Sequence, residues 1–155
     1  MPLTFRPITD SDRDFLFTLY ASTRADEMAL VPWSQEQKTE FLEMQFHAQH
    51  TFYQEQFGDA EFNLILNGTT TIGRLYVDRR DKEIRIIDIA LLPDHRRQGF
   101  GKQLLQNLLD EAADSKKPVT IHVEKNNPAM SLYQRLGFEI TEDQGVYNLM
   151  SWQAK

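Results

Sequence analysis

The spacing of apolar positions changes period several times along this chain, and each change marks an element. Leu3 to Pro7 reads as a short first strand. Thr9 followed by Asp12 has the form of a capping box and opens a helix running to about Arg24. A loop with Pro32 and Trp33 comes next. Ser34 with Gln37 is a second capping box, whose helix runs to Phe57 with Gly58 as its C′ residue. Glu61 to Leu66 and Thr70 to Arg79 read as strands joined by the hairpin dipeptide Asn67-Gly68. Glu83 to Leu92 is a third strand of that run. Leu104, Leu105, Leu108, Leu109 and Ala112 then fall on one face of a helix. A strand at Val119 to Glu124 follows, then a helix from Pro128 to Leu136 closed by Gly137, then strands at Phe138 to Thr141 and Val146 to Trp152.

The resulting order, β-α-α-β-β-β-α-β-α-β-β, predicts a mixed sheet with helices on its faces, an α/β fold. No repeat, low-complexity tract or linker interrupts it, so residues 1–155 read as one domain. Exposed terminal strands, Val146 to Trp152 among them, could pair two copies into a homodimer.

Composition narrows the class. Of 155 residues, 41% are hydrophobic and 26% charged, the balance of a globular domain able to bury its own core. There is no cysteine, which removes disulfides, thiolate metal sites and a cysteine nucleophile, and fits a cytoplasmic protein. The first residues lack the apolar run of a signal peptide, and no segment has the apolar length needed to cross a bilayer. A formal net charge of −6 argues against a nucleic-acid partner bound by broad phosphate neutralisation. Within this acidic chain, Arg79, Arg80, Lys82, Arg85, Arg96, Arg97 and Lys102 cluster, with His95 among them. Such a patch suits a small anionic ligand, or it is a salt-bridged surface, since Asp78, Asp81, Glu83 and Asp94 are interleaved.

Candidate chemistry lies where the third strand gives way to a helix. The turn Arg96-Arg97-Gln98-Gly99-Phe100-Gly101 precedes an amphipathic helix. The first N–H groups of a helix lack internal partners and carry the positive end of its dipole, which makes an anion site suited to a pyrophosphate. Gly99 and Gly101 let the backbone approach the phosphates, and Arg96, Arg97 and Lys102 can add charged contacts. Two familiar phosphate loops do not fit. In a P-loop, residue 96 would be glycine and residue 103 serine or threonine, but they are Arg96 and Gln103. The dinucleotide pattern Gly-x-Gly-x-x-Gly/Ala fails at Leu104.

Two stretches resemble a known family. Arg96-x-x-Gly99-x-Gly101, after a strand ending at Pro93, resembles the acyl-CoA loop of the GNAT N-acyltransferases. Asn126-x-x-Ala129-x-x-Leu132-Tyr133-x-x-Leu136-Gly137-Phe138 resembles the second signature of that superfamily. The strongest resemblance covers Ile84 to Phe138, and the element order extends it to the whole chain. It implies acetyl transfer from acetyl-CoA, or another acyl-CoA, to a primary amine by direct attack in a ternary complex, without a metal. It further implies that the strand ending at Leu91 splays from the strand Val119 to Glu124, and that the pantetheine arm enters the gap. Backbone groups at Ile89, Ala90 and Leu91 would pair with that arm, the Leu91 N–H polarising the thioester carbonyl. The N–H groups of Arg97, Gln98, Gly99, Phe100, Gly101 and Lys102 would hold the pyrophosphate. Asn126 would bond the cofactor arm, and Tyr133 would protonate the leaving thiolate.

Periodicity alone makes Tyr133 a core residue beside Ala129, Leu132 and Leu136, and makes Asn127 before Pro128 a helix cap. The base is not assigned. Members of the family that modify protein N-termini carry a glutamate where this chain has Ile121, and His122 points to the other face of the strand. Asp88 and Glu27 are candidates. In similar proteins the first two helices choose the acceptor, a small-molecule or peptide amine. On the helix from Gln35, one apolar stripe is Phe41, Met44, Ala48 and Phe52, and another is Leu42, Phe46, Tyr53 and Phe57. Gln45, Gln49 and Gln56 lie between them. Gln45 and Gln49 either satisfy nearby backbone in a wide buried face or line the acceptor pocket. His47 and His50 fall on the polar side and read as solvated. A non-catalytic acyl-CoA-binding or regulatory module is the alternative function.

Overall fold

The computed structural model describes residues 3–155. Seven strands form one sheet in the order β1-β2-β3-β4-β5-β7-β6. They are β1 (Leu3–Pro7), β2 (Glu61–Asn67), β3 (Thr70–Arg79), β4 (Ile84–Leu91), β5 (Val119–Glu124), β6 (Glu139–Gln144) and β7 (Tyr147–Trp152). The helices are α1 (Arg13–Thr23), α2 (Ala25–Ala29), α3 (Gln35–Gln56), α4 (Phe100–Ser115) and α5 (Met130–Arg135). β1 pairs antiparallel with β2, β5 and β6 each pair antiparallel with β7, and β4 pairs parallel with β5. A parallel pair needs a crossover, which α4 supplies. This is the mixed α/β sheet that the periodicity predicts. Among the described residues, no helix is long and apolar enough to cross a membrane.

The chain forms two compact units. The first is the segment up to Arg74 together with Ala90–Asp94. Its core gathers Leu16, Tyr20, Met28, Leu42, Phe46 and Leu64. Ser34 starts α3 as its spacing predicts: Ser34 Oγ accepts from the Gln37 N–H at 3.2 Å, and Gln37 Oε1 accepts from the Ser34 N–H at 3.0 Å. The helix predicted from Thr9 to Arg24 is instead a 3-10 turn at Asp10–Asp12 followed by α1. Arg24 leaves the helical path with ψ near zero, and the short α2 fills part of the predicted loop. Of the two apolar stripes on α3, the Leu42–Phe46 stripe is the buried one. Met44 and Phe52 of the other are 63% and 53% exposed.

The second unit is Leu75–Ile89 with His95–Lys155. The predicted face of α4 is buried throughout, from Leu104 to Ala112. β5 alternates as a strand should, with Val119, Ile121 and Val123 inside and His122 exposed. α5 is shorter than predicted. Asn127 Oδ1 takes the Ala129 N–H at 2.8 Å and the Asn127 carbonyl takes the Met130 N–H at 3.1 Å, so Asn127-Pro128 is spent on a turn before the helix begins. The expectation that the last strand offers a free edge is corrected. β7 lies between β5 and β6, so both its edges are already paired.

His50 departs from its expected place on the solvated side. It is half-buried, and its ring stacks on Phe46 with centroids 5.6 Å apart. Burial, and after it the Arg74 cation, lower its pKa. The fold therefore favours neutral His50, and the unfolded chain binds more protons as pH falls through the ordinary histidine value of about 6.5. Stability conferred by the neutral ring is present above that value and lost below it. The drop in Tm between about pH 7.5 and about pH 5.5 should be smaller in His50→Gln than in the parent. Thermal melts of both proteins across that range check this, and equal drops would remove the assignment.

Candidate active site

In the second unit, β4 and β5 share three rungs: Ile84↔Val119, Arg85↔Thr120 and Ile86↔Ile121. Within this unit the two strands run on to Ile89 and Glu124, but the parallel register ends at Ile86 and Ile121. β5 keeps its antiparallel partner β7 along its whole length, as far as Glu124↔Tyr147. The strands therefore part company from Ile87 and His122 onward.

A polar network fastens the paired end. The Thr120 hydroxyl donates to Glu83 Oε2 at 2.7 Å and accepts from Arg85 Nε at 2.7 Å. Arg80 bonds Asp78 at 2.9 Å and Glu83 at 2.8 Å. Burial pushes the Glu83 carboxyl up, but the Thr120 hydroxyl and the Arg85 and Arg80 charges outweigh it and hold Glu83 below its usual range. Arg79 forms a bidentate pair with Glu111. For Arg79, Arg80 and Arg85, then, the salt-bridged reading of the basic cluster is the correct one. Arg96 and Arg97 are exposed on the loop before α4, and Lys102 is exposed in its first turn.

That loop has the backbone shape of an anion cradle. Arg97 has φ +62° and Gly99 has φ +85°, so two residues within three adopt the left-handed conformation. Turns of this kind aim successive N–H groups into one concavity. The first bond internal to α4 runs from the Gln103 N–H to the Gly99 carbonyl at 3.0 Å, which leaves the N–H groups of Phe100, Gly101 and Lys102 at the open end of the helix. A Cβ built on Gly99 or Gly101 would meet no protein atom within 4 Å.

Tyr133, on α5, is 3% exposed and lies edge-on to Phe138 with centroids 5.7 Å apart. Burial first, then the Asp88 carboxylate, push its phenol well above the ordinary tyrosine value, so its proton is harder to remove than that of a solvated tyrosine. Asp88 stands two residues beyond Ile86 on β4, on the same face as Ile86, just past the last rung. Asn126 is exposed in the turn after β5, and Ile121 is buried. Exposed His122 meets Arg85 across 3.2 Å.

In the first unit, Ala90 and Leu91 lie against Gly73 of β3. A Cβ on Gly73 would stand 2.1 Å from the Ala90 oxygen and 3.0 Å from Leu91 Cα. In a regular ladder the carbonyls lie near the sheet plane and Cβ atoms stand out of it. The Ala90 carbonyl therefore leaves the regular ladder, and only glycine admits it. A mid-strand glycine is the signal that could have flagged this position from sequence.

The same unit holds a cleft of ≈ 410 Å³ lined by Tyr20, Arg24, Glu27, Phe41, Gln45 and Ala48. Tyr20 donates its hydroxyl proton to Gln45 Oε1 at 3.3 Å. Gln49, one turn further along α3, accepts from Nη2 of buried Arg74 at 2.9 Å. The structure thus puts Gln45 in the cleft and Gln49 on an internal arginine. Among the described residues, no group of three or more histidine or acidic side chains could hold a metal ion.

The model of the acetyltransferase (GNAT) family matches residues 16–138. The [ribosomal protein bS18]-alanine N-acetyltransferase of Salmonella typhimurium is 31% identical over 105 residues, 63% of this chain and 70% of that protein. The UPF0157 protein YqkA of Bacillus subtilis is 34% identical over 71 residues, 46% of this chain but 21% of YqkA. Among solved structures, the PaiA N-acetyltransferase of Thermoplasma acidophilum in complex with coenzyme A superposes with a TM-score of 0.70 at 17% identity, covering 99% of this chain and 100% of that one.

Gly73→Ala should lower stability by about 1–3 kcal/mol, the usual cost of overpacking. Denaturant titration reads that loss. A transition midpoint equal to the parent's would show that β4 does not need the glycine.

Proposed function

We propose that this chain, which belongs to the acetyltransferase (GNAT) family, moves an acetyl group from acetyl-CoA to a primary amine. The observation that carries the reading is the early end of the β4–β5 ladder, followed closely in sequence by a loop with two left-handed residues and an open helix start. The gap suits the pantetheine arm, and the loop N–H groups from Arg97 to Lys102 suit its pyrophosphate, with Arg96 and Lys102 adding charge. Asn126 lies at the exposed turn beyond β5, where it can bond the arm.

In the transfer, the amine nitrogen attacks the thioester carbonyl carbon. Its electron pair forms the C–N bond while the carbonyl pair moves to oxygen. The Leu91 N–H is the dipole that the family resemblance assigns to that oxyanion. Collapse breaks the C–S bond, the leaving thiolate takes the Tyr133 phenol proton, the nitrogen loses one proton to solvent, and solvent returns a proton to the Tyr133 phenolate. The acid role is the one that the second family signature assigns to Tyr133; its raised pKa holds the proton more tightly and does not itself favour the transfer. The product is an N-acetyl amine and free coenzyme A thiol. The acceptor is a small-molecule or peptide amine.

Thiol release from acetyl-CoA in the presence of an amine panel is the direct test. No release with any amine, combined with tight acetyl-CoA binding, would make the chain an acyl-CoA-binding module instead. Tyr133→Phe should lower kcat by about 100-fold, within the range that a general acid supplies. The KM for acetyl-CoA should change by less than about threefold. Unchanged kcat would remove the acid role and leave Tyr133 as a core residue.

A further inference from the structure

The cleft in the first unit has a definite chemical composition. Its lining holds one cation, Arg24, and one anion, Glu27. Arg24 Nη1 lies 3.2 Å from Glu27 Oε1, and their side chains are 23% and 52% exposed. An ion pair this open contributes little to stability, so a ligand can part it at small cost. Arg24 Cζ also sits 5.7 Å from the centroid of the Tyr20 ring, which props the guanidinium on the cleft wall.

Gln45 is oriented by its neighbour. Its oxygen accepts from the Tyr20 hydroxyl, and Tyr20 is itself buried at 4% exposure. With the oxygen committed, the two amide N–H donors turn away from Tyr20. Arg24 and Gln45 together present donors that suit a carboxylate. Glu27 beside them presents an acceptor that suits an ammonium. Phe41, held edge-on by Trp33 at 5.4 Å, and Ala48 supply an apolar wall.

We infer that this cleft binds the acceptor as a zwitterion: a free amino acid with an apolar side chain, its carboxylate on Arg24 and Gln45, its ammonium on Glu27 and its side chain against Phe41 and Ala48. The assignment of this ligand as acceptor rests on the acetyl-transfer reading above. A polyamine is disfavoured, because several ammonium groups would share one carboxylate and meet the Arg24 charge. The bound ammonium gives up one proton to solvent before attack, so the net products are the N-acetyl amino acid, the coenzyme A thiol and one proton.

Three probes separate the contacts: phenylalanine; phenethylamine, which keeps the ring and amine but lacks the carboxylate; and spermidine. Calorimetric titration of the full chain saturated with coenzyme A should show phenylalanine binding about tenfold or more tightly than either of the others, in line with the worth of a charge-assisted contact. Arg24→Gln should weaken phenylalanine by about tenfold and leave phenethylamine within about twofold. Gln45→Leu should weaken phenylalanine selectively too, and it serves in place of Arg24→Gln if that variant does not fold. Phenethylamine or spermidine binding as well as phenylalanine would overturn the proposal. So would equal weakening of phenylalanine and phenethylamine by these substitutions, or an absence of phenylalanine binding. Thiol release with other amines, but no phenylalanine binding, sinks the zwitterion assignment and keeps acetyl transfer. Arg24-dependent phenylalanine binding without any thiol release sinks acetyl transfer and keeps the cleft.

Discussion

Strands in a sheet consume one another's backbone N–H and C=O groups, and a strand that stops doing so on one side must be held there by something else. β4 is such a strand. It shares three rungs with β5 and then runs on without it, while β5 remains paired with β7 to its end. The proposed function uses the separation for an extended polar arm, in the way a peptide strand adds to a sheet edge. The separation also brings Asp88 just past the last rung, within electrostatic reach of Tyr133. The chemistry proposed for this chain depends on that separation.

A polar network fastens the paired ends of β4 and β5. Asp78, Arg80, Glu83, Thr120 and Arg85 form a continuous set of charge-assisted bonds across them. A network of partly buried charges is costly when incomplete and rigid when satisfied. Here the lowered Glu83 pKa shows that attraction outweighs burial. In the first unit, Gly73 makes room for the Ala90 carbonyl outside the regular ladder. The basic cluster read from the sequence thus serves two purposes. Arg79, Arg80 and Arg85 hold strands and helix together, while Arg96 and Arg97 on the loop and Lys102 in the first turn of α4 are exposed and carry the proposed anion contacts.

The parts legible in the sequence were those whose determinants are local. The Ser34–Gln37 cap, the apolar face of α4 and the alternation along β5 each follow from residues a few positions apart, and all three appear as read. The burial of Tyr133 was legible as core spacing, but the Asp88 charge facing it was not, because the two residues lie far apart in the chain. His50 was misplaced for a related reason. A helical wheel gives angles but not how far a neighbouring element reaches around them, and the buried arc of α3 extends past Phe46 to His50. The last strand looked like an edge because sequence order does not give sheet order, and β7 enters between β5 and β6.

The same distinction explains why a donor site can be read more easily than an acceptor site. A pyrophosphate is recognised mainly by backbone N–H groups, which only certain residues can arrange. Left-handed Arg97 and Gly99 and the start of α4 lie within a handful of consecutive positions, so the recognition leaves a contiguous trace. The proposed acceptor cleft is built from side chains of Tyr20 on α1, Arg24 at the junction of α1 and α2, Glu27 on α2, and Phe41, Gln45 and Ala48 on α3. Each of these residue types is ordinary where it stands. Arg24 and Glu27 alone are a surface pair three residues apart, and Tyr20 and Gln45 alone are a core phenol and a helix amide. Their meaning comes from the Tyr20–Gln45 bond and the Arg24–Tyr20 contact, which gather these side chains at one cleft. Specificity assembled in this way can change by one side chain at a time while the backbone site stays intact. A fold that holds one donor by backbone and its acceptors by side chains is therefore free to serve many amines.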